Sequence, residues 1–455
     1  VVAMAAIDPT NTFVEDVDWN YVDGASYGAS TSAIYPHTTQ PFDISYLFAL
    51  YSESAGGYMA SAEWDEAATT PVDGEYPFGN FSTPVSGSSV ASSIAVTGWA
   101  LDDTGVSNVK IYLENGGSLA YIGDAIFVDG ARPDIAAAYP YYPLNTRAGW
   151  GYMLLTNFLP GGGNGTYILH AIASDGYGKA TDLGSSIIYC DNAHAVKPFG
   201  AIDTPSAGGT ASGTKYSNVG WALTPMPNMI PTNGSTIGVY VDGVKKGNAT
   251  YNIYRSDIAG FFPGYANSNG AAASFKLNTS PYSNGLHSIF WIATDNAGNA
   301  DGIGSRYFNI SNTLANSAGL EYKVATQQPF QPNPSLINSI PTTRTPIMFK
   351  KGYRNDLPGQ DAPVTSEGAP TIDIQELERV ELQVPNAIAG FLSVGGKYKP
   401  LPVGSTLDTE KGKFCWQPGP AFLGEFNMVF IMKNPDGTLT KKNITININP
   451  KNYQQ

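Results

Sequence analysis

GWALDDTG at residues 98–105 and GWALTPMP at residues 220–227 begin with the same four residues. A shared tetrapeptide decides little, but a shared frame around it decides the fold. Upstream, PFGNFSTPVSG (77–87) is answered by PFGAIDTPSAG (198–208). Downstream, VKIYLENG (109–116) is answered by IGVYVDG (237–243), and ARPDIAAAYPYYP (131–143) by YRSDIAGFFPGYA (254–266). NGTYILHAIASDGYGKATDLGSSIIY (164–189) is answered by NGLHSIFWIATDNAGNADGIGSRYFN (284–309). Blocks recurring in constant order at this spacing mark two tandem domains. Solenoid repeats have a much shorter period, about 20–50 residues.

Each copy reads as β-structure. HSIFWIATDNAGN (287–299) and TYILHAIASDGYG (166–178) are β-branched and aromatic runs that end in Gly, Asn and Asp turns. VKIYLENGG and GVYVDG close short strands on Asn-Gly and Asp-Gly, strong hairpin signals. RPDIAAAYP (132–140) has room for a single helical turn, because Pro stands near both ends. Several short strands per copy predict an all-β fold of tandem sandwiches. Trp99 and Trp221, at the start of equivalent strands, are expected to plug the two cores.

The ordered set PFG…TP…G, GWAL, IY or VYVDG, RPDIA or RSDIA, and A-x-D-x-x-G-x-A resembles the tandem Ig-like repeats of large bacterial surface and secreted proteins. The resemblance covers about 77–313, roughly half the chain. It implies Ig-like domains at 77–193 and 194–313 that act as spacers or binding units, with no catalytic residues to carry over. The second copy departs where TPMPNMIPTNGST replaces the DDTGVS turn, so a cation held by Asp102 and Asp103 would have no counterpart there.

The ends read differently. Residues 314–370, rich in Pro, Asn, Gln and Thr, predict an extended linker. In RVELQVP (379–385), Val380, Leu382 and Val384 face one way, and in NITININP (443–450) Ile444, Ile446 and Ile448 do the same. Leu407-Asp408, Gly412, Trp416, Pro418 and Gly424 resemble the frame of bacterial Ig/cadherin-like modules, which implies a third sandwich at 371–455 with Trp416 in its core. Cys415 should then point to the face opposite Trp416. Residues 1–76 match neither repeat and form an acidic segment, either a local cap or an arm that pairs with another chain. In it, DISYLFALYS (43–52) is the one core-like stretch.

Charge narrows the function. The chain has 455 residues, 14 % charged, with a net charge of −13. No Lys or Arg precedes Lys110, and 14 carboxylates lie before it. A surface of this sign repels nucleic acid. No apolar run is long enough to span a bilayer as a helix. Ala3-Met4-Ala5 resembles a signal-peptidase site, a hint of secretion. Cys190 and Cys415, 225 residues apart, form no zinc motif and no disulfide scaffold, and are expected to be free and buried.

Little chemistry stands out. GASYG (24–28) fits G-x-S-x-G around Ser26 but lacks the strand–turn–helix setting. The four histidines His37, His170, His194 and His287 suggest no catalytic partner. DNAGNADGIG (295–304) fails the EF-hand pattern at Ala297. Ca²⁺ on Asp102, Asp103, Asp295 or Asp301 is a candidate in another geometry, set against Asp side chains that merely cap turns. Tyr141 and Tyr142 are candidates for stacking on glycans.

The chain is therefore expected to be an extracellular or cell-surface bacterial structural protein, a rod of sandwiches without catalytic activity. It is expected to assemble as a homo-oligomer or polymer through sheet edges and the N-terminal segment. A glycan-binding adhesin is the second expectation. The non-catalytic part of a larger secreted enzyme is the third.

Overall fold

The computed structural model describes residues 74–312, 333–353, 359–363 and 369–451 in full, and of residues 1–73 only the backbone of short strands. The chain divides into two units, Val1–Glu75 and Tyr76–Gln455. In the first, Ala6–Ile7, Thr12–Val14 and Ile34–Pro36 form one sheet. Ile44–Leu50 pairs with Tyr58–Trp64, so the core-like stretch is a strand. Ala25–Ser26 pairs with Tyr21–Val22, a hairpin and not a strand-to-helix turn.

The second unit holds three two-layer β-sandwiches. In the first, one sheet runs Ile126–Phe127, Gly149–Leu155, Ser93–Leu101, Phe78–Thr83. The other runs Ser118–Asp124, Val106–Asn115, Asn164–Asp175, Ala180–Asp191, Ser88–Val90. The second sandwich repeats this order strand for strand, from Phe199–Thr204 to Ala300–Ile310. The duplicated sequence is thus a duplicated topology. The hairpin signals hold: Asn115 is followed by Gly116 and Gly117 at φ +59° and +80°, and Asp242-Gly243 sits at +48° and +75°. The single helical turns form at Pro133–Ala138 and Ser256–Phe261.

Trp221 is buried as expected and Trp99 is half-buried, but neither lies between the two sheets of its sandwich. The buried indoles of the two interiors are Trp150 and Trp291. Strand alternation explains why. In Ser93–Leu101, Ile94, Val96 and Ala100 face the interior, so Gly98 does too and Trp99 faces away. A side chain on Gly98 would strike the Asn80 carbonyl oxygen and come within 2.7 Å of Trp150 Cε2. One on Gly220 would come within 2.9 Å of Trp291 Cη2. The glycine of the GW pair, and not its tryptophan, is the core position, because it leaves room for an indole from another strand. Trp99 is half-buried in an outer cluster with Phe78, Leu101, Ile135 and Tyr139, beneath the Pro133–Ala138 turn. Trp221 is buried in the equivalent cluster with Phe199, Leu223, Ile258 and Phe262.

The third sandwich has Gln360–Asp361, Met348–Lys351, Val380–Gln383, Lys413–Trp416 and Ser405–Asp408 in one sheet. Thr371–Gln375, Leu439–Asn449, Gly424–Lys433, Ala387–Val394 and Lys397–Lys399 form the other. Trp416 is fully buried among Phe414, Phe422 and Phe426. The stretch 314–370 is not all linker. Asn333 caps the helix Pro334–Ser339, and Ile337 and Ile340 are buried against Phe391, Val429 and Ile431. Ile347 and Phe349 enter the main core. The high proline content masked this alternation.

The three sandwiches do not form a rod. Each is packed on both others. Phe158 of the first meets Trp221 of the second at 6.0 Å. Val128 and Ala131 of the first and Tyr307 of the second join the third sandwich's core cluster.

Candidate functional site

The junction where the three sandwiches meet is the most elaborate polar site among the described residues. Its first element is the Asp242-Gly243 hairpin of the second sandwich. The left-handed backbone of Gly243 turns its carbonyl outward, where Arg379 Nε and Nη2 both donate to it at 3.1 Å. The same guanidinium lies 5.3 Å from the Tyr240 ring centre and pairs with Glu381. Glu381 also meets Lys413 at 2.6 Å. These two cations hold its carboxyl below the ordinary value, against the opposing effect of burial, the largest single influence. Thr406 Oγ1 donates to Asp242 O at 2.8 Å. The backbone of Cys415 and Trp416 backs onto Gly243 so closely that a Cβ there would lie 3.1 Å from the Cys415 carbonyl oxygen.

The second element joins the first and third sandwiches. Glu376 is buried; Thr83 Oγ1 donates to its Oε1 at 2.7 Å and Lys451 N to its Oε2 at 3.2 Å. Lys451 Nζ donates to Ser93 O at 3.1 Å and stands 3.9 Å from Asp301 of the second sandwich. Gly151 abuts the chain at Pro420-Ala421 so closely that a Cβ there would lie 2.5 Å from the Pro420 carbonyl oxygen. Beside this cluster a cleft of about 480 Å³ opens, lined by Lys197, Lys350, Lys351, Tyr353, Glu378 and Lys451 among others.

Burial pushes the Glu376 carboxyl up from its ordinary 4.5 to about 7, in spite of the donors from Thr83 and Lys451. Ionising it is therefore harder in the folded chain than in the unfolded one. Its stabilising contribution is full below its ordinary value and is lost as pH rises through about 7. The loss is of order 3 kcal/mol. Urea unfolding at about pH 5 and about pH 8 should show this slope, and Glu376→Gln should flatten it. An unchanged slope in the variant would place the pH dependence elsewhere.

The remaining candidates scatter. Asp102 is buried and Asp103 half-buried at the turn after Ser93–Leu101. Asp295 is buried at the Gly285–Thr294 hairpin end, and Asp301 lies at the junction. The four do not come together, and among the described residues no three His, Cys, Asp or Glu side chains form a group that could hold a metal ion. Tyr141 is 93 % exposed, whereas Tyr142 packs on Phe78 and Tyr139. Both cysteines are free and buried. Burial pushes Cys190 up to about 12, far from a reactive thiolate. His170 lies between Asp182 (2.8 Å) and Glu114 (3.4 Å), and His287 Nδ1 is 2.6 Å from Asp242. Burial works against the charged form of His287, but the Asp242 bond and charge outweigh it and raise its pKa. Among the described residues no histidine bonds a Ser, Thr or Cys side chain, and Ser26's side chain and His37 lie outside those residues. No helix among the described residues is long and apolar enough to cross a membrane.

Glu376 and Arg379 were missed because nothing in GAPTIDIQELERV (368–380) separates a junction carboxylate or guanidinium from a solvated one. Asp175 was also missed, although the repeat itself aligns ASDGYG with ATDNAG and so pairs it with Asp295.

Residues 77–139 match the bacterial Ig domain family. No curated protein matches the chain. Among solved structures, the fibronectin(III)-like modules of Clostridium thermocellum CbhA are 18 % identical, covering 51 % of this chain and 94 % of theirs, at a TM-score of 0.17. A 1.5-MDa bacterial ice-binding adhesin is 10 % identical over 82 % of this chain and 98 % of its own, at 0.16. Bacteroides ovatus SGBP-B, in complex with a mixed-linkage heptasaccharide, is 10 % identical over 83 % and 71 %, at 0.18. Likenesses at these TM-scores carry no argument about this chain. The bacterial Ig domain match thus falls on the first sandwich, and the second sandwich repeats that sandwich's sequence blocks and strand order.

Proposed function

We propose that the chain is an extracellular structural protein of the bacterial surface, a non-catalytic, self-associating subunit built on its three packed sandwiches. The observation that supports this most is the uneven protection of its sheet edges. Val244–Asn248 carries Lys245 and Lys246, and Lys397–Lys399 carries two lysines, which discourage strand addition. Ser118–Asp124, the edge of the first sandwich, has no lysine and exposes Leu119 and Tyr121. It is an edge fit to receive a strand from a second copy through main-chain hydrogen bonds. Negative-stain images of the purified chain should show filaments or sheets, and Leu119→Lys should abolish them without changing the thermal midpoint. Monodisperse monomers of the unaltered chain at high concentration would defeat the reading.

A glycan-binding adhesin is the second reading, favoured by the exposure of Tyr141. Binding on a glycan array that is lost in Tyr141→Ala would support it. Tyr142→Ala is the poorer probe, since it also removes ring contacts to Phe78 and Tyr139.

A further inference from the structure

The duplicated sandwiches differ at one buried spot. In the second, Asp295 Oδ1 accepts from the backbone of Ala297 and Asn299, tying the hairpin turn. Its Oδ2 accepts from Thr224 Oγ1 at 3.0 Å and Asn299 Nδ2 at 2.9 Å. Every lone pair aimed inward there has a donor. In the first sandwich Asp175 occupies the same turn, and its Oδ1 accepts from Tyr177, Gly178 and Lys179. Both donors to Oδ2 are replaced. Asn299 becomes Lys179, whose ammonium lies 5.3 Å over the Tyr76 ring. Thr224, three residues past Trp221, becomes Asp102, three residues past Trp99.

Asp102 and Asp175 are 0 % and 5 % exposed. Asp102 Oδ1 accepts from Thr104 N and Oγ1 at 2.8 and 2.6 Å. Oδ2 of each carboxylate is buried with no hydrogen-bond partner, and among the described residues neither Asp102 nor Asp175 forms an ion pair. Their counterparts Thr224 and Asp295 bond each other in the second sandwich, so the repeat brings these two carboxylates to one turn, where burying both uncompensated is costly unless something positive joins them. Asn108 Oδ1, two residues along the strand from Val106, which pairs with Asp175, is buried without a donor as well. A cleft of about 150 Å³, lined by Leu101, Val106, Ser107, Leu144 and Arg147 among others, flanks the Asp102 turn and offers an approach.

We propose that Asp102 and Asp175 together bind a hard divalent cation, Ca²⁺, which links the two strand ends in the first sandwich where the Thr224 hydroxyl links them in the second. Two carboxylate oxygens are fewer than the three-acid group absent from the described residues. Ca²⁺ takes six to eight oxygens and readily completes its shell with carbonyls and water. The second sandwich needs no ion because its pair is already satisfied.

Calorimetric titration of the chelator-treated full chain with CaCl₂ should show one site per chain, and Ca²⁺ should raise the thermal midpoint over that in EDTA. Asp102→Thr, which copies the second sandwich's pair, should lose the heat signal or weaken affinity at least about tenfold, and should melt at the same temperature with and without Ca²⁺. Asp175→Asn provides a second variant with the same expected loss of binding. If the unaltered chain takes up no Ca²⁺, the two carboxylates share a proton and the inference is wrong. It is equally wrong if Ca²⁺ binds undiminished in both variants.

Discussion

Gly98→Ala should destabilise the first sandwich by about 3 kcal/mol or more, the upper end of overpacking costs. The new methyl would meet the Asn80 carbonyl oxygen on one side and the Trp150 ring on the other. The carbonyl is strand backbone and cannot rotate away. The ring is fully buried and packed by Phe81, 6.0 Å away. Gly176→Ala is the control: nothing lies within 4 Å of its Cβ position, so its effect should stay within about 0.5 kcal/mol. Urea unfolding of both variants separates a packing clash from a general intolerance of alanine for glycine. A Gly98→Ala midpoint equal to the control's would show that the indole is not seated against this strand.

Arg379→Ala carries the second large effect. Its removal leaves the Gly243 carbonyl without its donor and Glu381 with Lys413 alone, both at a buried interface. Breaking a buried pair from one side costs about 3–5 kcal/mol. Arg379→Lys should lose about half of that, because an ammonium keeps the charge for Glu381 but cannot supply the two-pronged contact to Gly243 or the flat face over Tyr240. A loss under about 1 kcal/mol in Arg379→Ala would show that the second and third sandwiches do not depend on this contact.

The difference between these residues shows where sequence reading works. Alternation is local, so Val380, Leu382, Val384, Ile444, Ile446 and Ile448 could be assigned to buried faces from their spacing alone, and they lie there. Turn chemistry is local too, and Asp242-Gly243 forms the hairpin its residues required. What a face packs against is not local. Trp99 and Trp221 were legible as strand residues but not as lying outside the sandwich, because that depends on a helical turn some 35 residues onward covering them. Glu376 and Arg379 acquire their roles from Thr83 and Gly243, about 290 and 136 positions away, and no pattern within their own strands encodes those partners. The proline-rich stretch before the third sandwich hid Ile347 and Phe349 for the opposite reason: composition suggested a connector while two apolar positions two residues apart signalled a strand.

The claim on which the rest depends is that the three sandwiches are buried against one another as one body. Small-angle X-ray scattering from residues 76–455 tests it most directly. A compact body of that chain length should have a radius of gyration of about 21 Å. Three sandwiches in a row, each about 33 Å along its strands, would give about 30 Å or more, and that value would contradict a shared junction at Glu376 and Arg379.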